Sequence, residues 1–256
     1  MDAKINLLLS QLPRAAVATP PWLRTLDIDR NLTARYLRSG WLASVAAGAY
    51  TRAGDSPDWP GALWGLQKAG CPVWAGGQTA LELSGLGQNL VMGAAPITLF
   101  GDPGAKLPKW AVGGPWRRPL TLFTPALLNE TVAESTSFQT ITAGEIALKI
   151  STPERAVLEL AYGVHDEAGF EPLDHAMQGL MTLRPAAMQS LLEKCRLVRV
   201  VRLVLLLAEH YGHPWVKRVD LSALDLGSGK RQLWPGSSIH PKYLISVPKG
   251  FLNGTV

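Results

Sequence analysis

The stretch Asp29-Arg30-Asn31-Leu32-Thr33-Ala34-Arg35-Tyr36-Leu37-Arg38-Ser39-Gly40 decides how this chain is read. Asp29 is a helix-capping residue type and Gly40 is free to take the left-handed backbone that ends a helix, so a helix is predicted up to about Ser39. At about 100° per residue, Leu32, Thr33, Tyr36 and Leu37 share one side of it, and Asn31, Ala34, Arg35 and Arg38 the other. Leu32, Tyr36 and Leu37 are therefore expected to pack inward, with Asn31, Arg35 and Arg38 facing out. Upstream, Ile5, Leu8, Leu9 and Leu12 recur at helical spacing and Pro13 closes that segment. Thr19, read as a cap, and Pro20 open a short second helix through Trp22, Leu23 and Leu26. Downstream, Leu42–Val45 and Ala49–Arg52 make a two-strand pattern around Ala46-Ala47-Gly48. Three short helices followed by a hairpin match a winged helix-turn-helix.

In that arrangement the third helix reads DNA. Arginine donates a bidentate pair to guanine, asparagine reads adenine, and small Ala34 lets the helix approach the groove. Arg24 and Arg30, nearer the helix starts, suit phosphate oxygens. The tip Ala46-Ala47-Gly48 carries no cation, which leaves Arg52 as the contact expected from the wing. A solvated helix of a small bundle also turns charge outward. The capped helix before this one, the glycine stop and the hairpin favour the DNA-binding reading, with double-stranded DNA as the partner.

The totals fit. A chain of 256 residues has room for two modest domains, and 47% apolar residues can build their cores. A charged fraction of 18% excludes a disordered tail protein. The short apolar run ending at Leu9 is followed by no small-residue cleavage site, so no secretory leader is expected. The most apolar stretch, Val198–Ala208, carries Arg199 and Arg202 and is far shorter than a membrane span. Cys71 and Cys195 are distant in sequence and read as reduced thiols, in keeping with a cytoplasmic chain that does not engage a membrane. Charge is unevenly spread: net +4 over residues 1–54, −1 over 55–150, −4 over 151–195 and +6 over 196–256. Basic ends flanking a neutral to acidic middle suggest one polyanion contact at the front and room for a second at the back.

Residues 1–54 are thus expected to form the DNA-binding domain and residues 55–256 a larger α+β domain. Asp55-Ser56-Pro57-Asp58 reads as a linker and cap before a helix from Trp59 to Ala69. The stretch 70–150 is strand-rich, with candidate strands at Pro96–Phe100, Leu120–Thr124, Phe138–Thr142 and Ile146–Ile150 and a small helix at Thr79–Ser84. Ser151 and Glu154 have capping-box spacing and open a helix-rich stretch, 151–211, with further helices near Glu171–Leu180, Pro185–Cys195 and Leu197–Tyr211. A terminal β-hairpin over 229–247 is expected to pair Lys230–Trp234 with Tyr243–Val247. Strands and helices fall in separate runs, which makes the class α+β.

Chemistry-bearing patterns are sparse. His210 and His213 share a helix end, where two ligands do not make a zinc site and ordinary polar histidines are expected. Asp166, Glu167, Glu171 and Asp174 read as a solvated helix start. Gly227-Ser228-Gly229-Lys230 lacks the spacing and following helix of a phosphate loop and reads as a turn. No nucleophile–base signature is legible, so no catalytic residue, metal or cofactor is expected, and the chain is read as a non-enzyme. Arg196, Arg199 and Arg202, three residues apart, are either snorkelling arginines or, with Lys230 and Arg231, a second basic surface.

Several stretches together resemble the AbiEi antitoxins of bacterial type IV toxin–antitoxin systems. Leu32 to Leu42 and Gly48-Ala49-Tyr50 are similar to that family's winged-helix segment. Thr79-Ala80-Leu81-Glu82-Leu83-Ser84-Gly85-Leu86, Ser151-Thr152-Pro153-Glu154-Arg155-Ala156-Val157-Leu158-Glu159-Leu160 and Gly227-Ser228-Gly229-Lys230-Arg231-Gln232-Leu233 resemble later blocks, in order. The resemblance implies an amino-terminal domain that binds inverted repeats in its own promoter, and a larger domain that counteracts an AbiEii-type nucleotidyltransferase toxin without a stable complex. It maps the family's DNA contacts onto Arg30, Asn31, Arg35 and Arg38. Ala46 and Ala47 depart from the family's often basic wing. Two other readings remain open on the residues alone: a ligand-sensing regulator, and a nucleic-acid enzyme targeted by the winged helix.

Overall fold

A computed structural model describes residues 3–87, 95–129 and 132–253. Its first elements are α1 (Ala3–Gln11), α2 (Pro20–Thr25), α3 (Arg30–Arg38), β1 (Leu42–Ala46) and β2 (Ala49–Arg52). There follow α4 (Trp59–Lys68), β3 (Val73–Ala75), α5 (Gly77–Leu83), β4 (Ile97–Gly101), α6 (Lys109–Val112) and β5 (Leu120–Phe123). Then come α7 (Glu134–Ser137), β6 (Phe138–Ala143), β7 (Ile146–Ser151), α8 (Pro153–Tyr162), α9 (Glu167–Gly179), α10 (Pro185–Lys194) and α11 (Val198–His210). Two short strands, β8 (Ser238–Ile239) and β9 (Ser246–Val247), complete the order. The class is α+β, with the winged-helix elements first and the larger mixed portion after them.

Packing groups the chain into two units. The first comprises Met1–Ala75, Ala94–Thr124 and Thr140–Lys149. It holds the winged-helix elements, α4 and most of a five-stranded sheet of order β5-β4-β3-β7-β6. β3 runs antiparallel to β4, and β4 parallel to β5. β3 escaped the sequence reading because three residues carry too little alternation to register. Gln67 on α4 joins α4 to this sheet: its amide nitrogen donates to the carbonyls of Val73 (3.1 Å) and Lys149 (2.8 Å), and its oxygen accepts from Lys149 N (3.1 Å). α4 also meets the segment before α2 backbone to backbone. Val17 N donates to Gly61 O at 3.2 Å, and a Cβ on Gly61 or Gly65 would fall 1.9 Å from Ala15 O or 2.4 Å from Val17 O.

The second unit, Gly76–Gly93, Pro125–Gln139 and Ile150–Val256, is mostly helical, with α8 packed against α5, α9, α10 and α11. Val157, Leu158, Phe170, Leu173, Met177, Met188, Leu191, Leu203, Leu207 and Trp215 lie in its core. Two carboxylates of α8 are buried there. Glu159 accepts from Gly77 N (3.0 Å), Ser151 Oγ (2.7 Å) and Arg155 Nε (2.9 Å). Glu154 accepts from Arg184 through its backbone N, Nε and Nη2 at 2.8–3.0 Å.

Several expectations are corrected. The cap of α8 is Thr152, whose hydroxyl accepts from Arg155 N, while Ser151 is buried on Glu159. α9 starts at Glu167, capped by Asp166, and runs through Pro172, an interior proline whose missing N–H leaves Ala168 O without its i+4 helical donor. The hairpin of Lys230–Trp234 with Tyr243–Val247 is not formed. β9 pairs with β8, and Arg231 makes a single parallel bridge to Ile245. His213 is no surface histidine: it is fully buried, and its Nδ1 accepts from Trp215 Nε1 at 3.0 Å.

Replacing Gly61 by alanine forces a methyl into a carbonyl that cannot move aside. We expect a loss of about 1–3 kcal/mol in urea unfolding of the full chain. A separate prediction concerns acid. Burial raises the Glu154 carboxyl, but the hydrogen bonds and charge of Arg184 outweigh burial and hold it below its ordinary value. A depressed folded value contributes stability above the unfolded value of about 4.3 and loses it as pH falls through the folded one. Glu154→Gln should therefore lower stability at neutral pH and flatten its fall below about pH 4.

Candidate nucleic-acid interface

The third helix, α3, is built as its sequence demands at the ends. Asp29 Oδ1 accepts from Leu32 N at 2.8 Å and fixes the start of α3. Gly40 ends the turn after it with φ +71°, a conformation a side chain would strain. Tyr36 and Thr33 are the buried residues of α3, and Leu32 and Leu37 are only half-buried, so the inward stripe is shifted from the expected one. Thr33 belongs inside because its hydroxyl is satisfied, donating to Asp29 O at 2.8 Å. Thr19 precedes α2 as expected but makes no side-chain cap, and its hydroxyl is buried without a partner among the described residues.

Arg30, Asn31, Ala34, Arg35 and Arg38 are all exposed on α3, as is Arg24 on α2. Arg24, Arg30, Asn31 and Arg38 are held by no hydrogen bond or ion pair among the described residues, and Arg35 lies 5.9 Å from the centroid of the Tyr36 ring. Asn31, Arg35 and Arg38 stand at i, i+4 and i+7, a stripe about 10 Å long at 1.5 Å per residue. That length matches roughly three base steps of 3.4 Å.

The wing, β1 with β2, is antiparallel with an irregularity between Ser44 and Ala46. Ala18 pairs with Tyr50 on its other edge, N to O in both directions at 2.7 and 2.9 Å. Arg52 does not serve the wing as expected. It is half-buried, and its Nη2 donates to the carbonyls of Leu9 and Leu12 at the end of α1, which ties the hairpin to the first helix. The β4–β5 connection of the same unit adds exposed Lys106 and Lys109, together with one exposed carboxylate, Asp102.

A groove of about 380 Å³ opens beside the start of α3, lined by Pro20, Arg24, Ile28, Asp29, Arg30, Thr33 and Tyr50. Tyr50 is half-buried, and its hydroxyl has no partner among the described residues. Tyr50 was not among the contacts expected from the sequence. Strand alternation turns it to the groove: Thr51 next to it is buried and bonded to Ala16 O, so Tyr50 faces the other way.

The second basic surface, one of the two alternatives for this stripe, is not assembled from all five residues. Arg202 is only 3% exposed and donates to the carbonyls of Leu226, Gly229 and Leu244 at 2.7–3.2 Å. Arg199 donates to Tyr162 O and Val164 O, both at 2.8 Å, and lies over the Tyr162 ring. Burial lowers the pKa of both guanidiniums. Arg196, Lys230 and Arg231 remain exposed. α11 is buried on nearly every side, so two members of the stripe face protein rather than water.

Among the described residues no group of three or more His, Cys, Asp or Glu is placed to hold a metal ion, and no helix is long and apolar enough to cross a membrane. No curated protein matches the chain. The crystal structure of the RV2827C protein from Mycobacterium tuberculosis superposes with a TM-score of 0.60, covering 94% of this chain and 88% of that one at 15% identity, a likeness of fold. Two family profiles match in sequence. Residues 1–92 match the one described as a transcriptional regulator, AbiEi antitoxin N-terminal domain. Residues 94–248 match the one described as a transcriptional regulator, AbiEi antitoxin, type IV toxin–antitoxin system. With both halves matched in order, this chain belongs to the AbiEi antitoxin family of transcriptional regulators.

Proposed function

We propose that the chain represses its own operon by binding inverted repeats in the promoter, and that it neutralises a cognate nucleotidyltransferase toxin encoded beside it. The observation that carries the first part is the exposed stripe of Asn31, Arg35 and Arg38 along one capped helix, with Ala34 between them. Asparagine and arginine are the side chains that read adenine and guanine edges in the major groove. Arg24 and Arg30 flank the stripe and face phosphates. Residues 1–54 carry these contacts and residues 55–256 the antitoxic role, which we place within a type IV system, where no stable complex with the toxin is required. The wing tip contributes little, because it is uncharged and Arg52 is spent on the carbonyl oxygens of Leu9 and Leu12.

Binding to the upstream promoter over a salt series tests the first part. Arg35→Ala or Arg38→Ala should cost about 1–3 kcal/mol on the specific site and spare random duplex. Arg24→Ala should weaken both alike and reduce the salt slope by about one. Equal losses on specific and random DNA for Arg35→Ala and Arg38→Ala would remove base reading from this helix. Antitoxicity is tested by co-expression with the neighbouring toxin. Full-length chain carrying both Arg35→Ala and Arg38→Ala should still rescue growth while losing repression, and failure of the unaltered chain to rescue ends the antitoxin assignment.

A further inference from the structure

Resting on the DNA-binding reading above, we propose that the groove between α2, α3 and β2 is a seat for one backbone unit of duplex DNA. A phosphodiester would lie between Arg24 and Arg30, and Tyr50 would donate its hydroxyl to a phosphate oxygen. Arg24 and Arg30 approach the groove from different helices, and neither is engaged by another described residue. Tyr50 comes to it from the wing strand, with a phenol that likewise has no partner among the described residues. Three donors on three separate elements therefore line one concavity.

The lining fits a nucleotide unit better than a bare anion. At about 380 Å³ the groove has room for more than a phosphate group. Pro20, Ile28 and the Tyr50 ring supply an apolar wall suited to the C–H face of a deoxyribose. One carboxylate, Asp29, also lines it, but Asp29 is occupied in accepting from Leu32 N, and the two arginines leave the seat with net positive charge. The seat is fixed in position: Tyr50 is held by paired backbone hydrogen bonds to Ala18, and Asp29 fixes the start of α3 beside Arg30. A phosphate anchored here sets how α3 enters the groove, which makes Tyr50 a positioning residue rather than a base reader.

The test uses the full chain, a promoter duplex, and duplexes carrying a neutral methylphosphonate at one phosphate at a time. Tyr50→Phe removes one neutral hydrogen bond, so affinity for promoter and random duplex should fall alike by about two- to tenfold. Its salt slope should stay unchanged, unlike that of Arg24→Ala or Arg30→Ala. At one phosphate position the methylphosphonate should weaken the unaltered chain but hardly weaken Tyr50→Phe, a coupling that a merely structural tyrosine would not show. Thermal unfolding of Tyr50→Phe matched to the unaltered chain secures the comparison. DNA binding without any Tyr50-dependent phosphate overturns the seat and leaves the DNA-binding reading standing; absence of duplex binding by the unaltered chain overturns both. Free pyrophosphate at constant ionic strength should displace DNA no better than chloride. Tyr50-dependent displacement would instead assign the groove to a small phosphorylated ligand.

Discussion

Where α4 crosses the segment before α2, two glycines let backbone lie on backbone. Gly61 and Gly65 leave room for the carbonyls of Ala15 and Val17, and Val17 N bonds directly to Gly61 O. No side chain intervenes at those points, so the contact fixes distance more tightly than interdigitated side chains would. On one side of it the segment runs on to Ala18, which pairs with the wing, and to α2. On the other side α4 carries Gln67 onto β3 and β7. The winged-helix elements are thereby held in register with a sheet instead of being carried on a flexible tether.

Arginine plays two opposite parts in this chain. On α2 and α3 it faces water, at Arg24, Arg30, Arg35 and Arg38. At Arg52, Arg199 and Arg202 it turns inward and gathers backbone carbonyls that would otherwise be unsatisfied. The planar fork suits this work, since its donors diverge and reach acceptors on different loops at once. Arg202 gathers carbonyls from Leu226 to Leu244 in this way, which gives the irregular carboxy-terminal segment part of its order.

How much the sequence disclosed follows from the range of the interactions. The ends of α3 were legible because a cap and a glycine act within a few residues, and the strands β4 to β7 because alternation is local. The outward face of α3 was legible for the same reason. The role of Arg52 was not, since its acceptors lie about forty residues back along the chain in a different helix, a distance periodicity does not span. Arg199 and Arg202 misled because a basic stripe on an amphipathic pattern implies solvent, whereas α11 is enclosed and its charges are satisfied by oxygens far off in sequence. The place of Tyr50 on the groove was not legible, because a tyrosine in a strand reads as packing until its neighbours show which side is wet.

Asp58 is a small carboxylate with two clients. One oxygen caps α4 through Trp59 N at 2.8 Å and also accepts from Arg117 N at 3.0 Å, while the other accepts from Arg117 Nε at 2.6 Å. Burial pushes its pKa up, but Arg117 more than offsets burial and keeps the group below the usual carboxylate range. The first turn of a helix and the approach to β5, almost sixty residues apart, thus answer to a single proton. Both lose this carboxylate's charge together as pH falls through its lowered pKa.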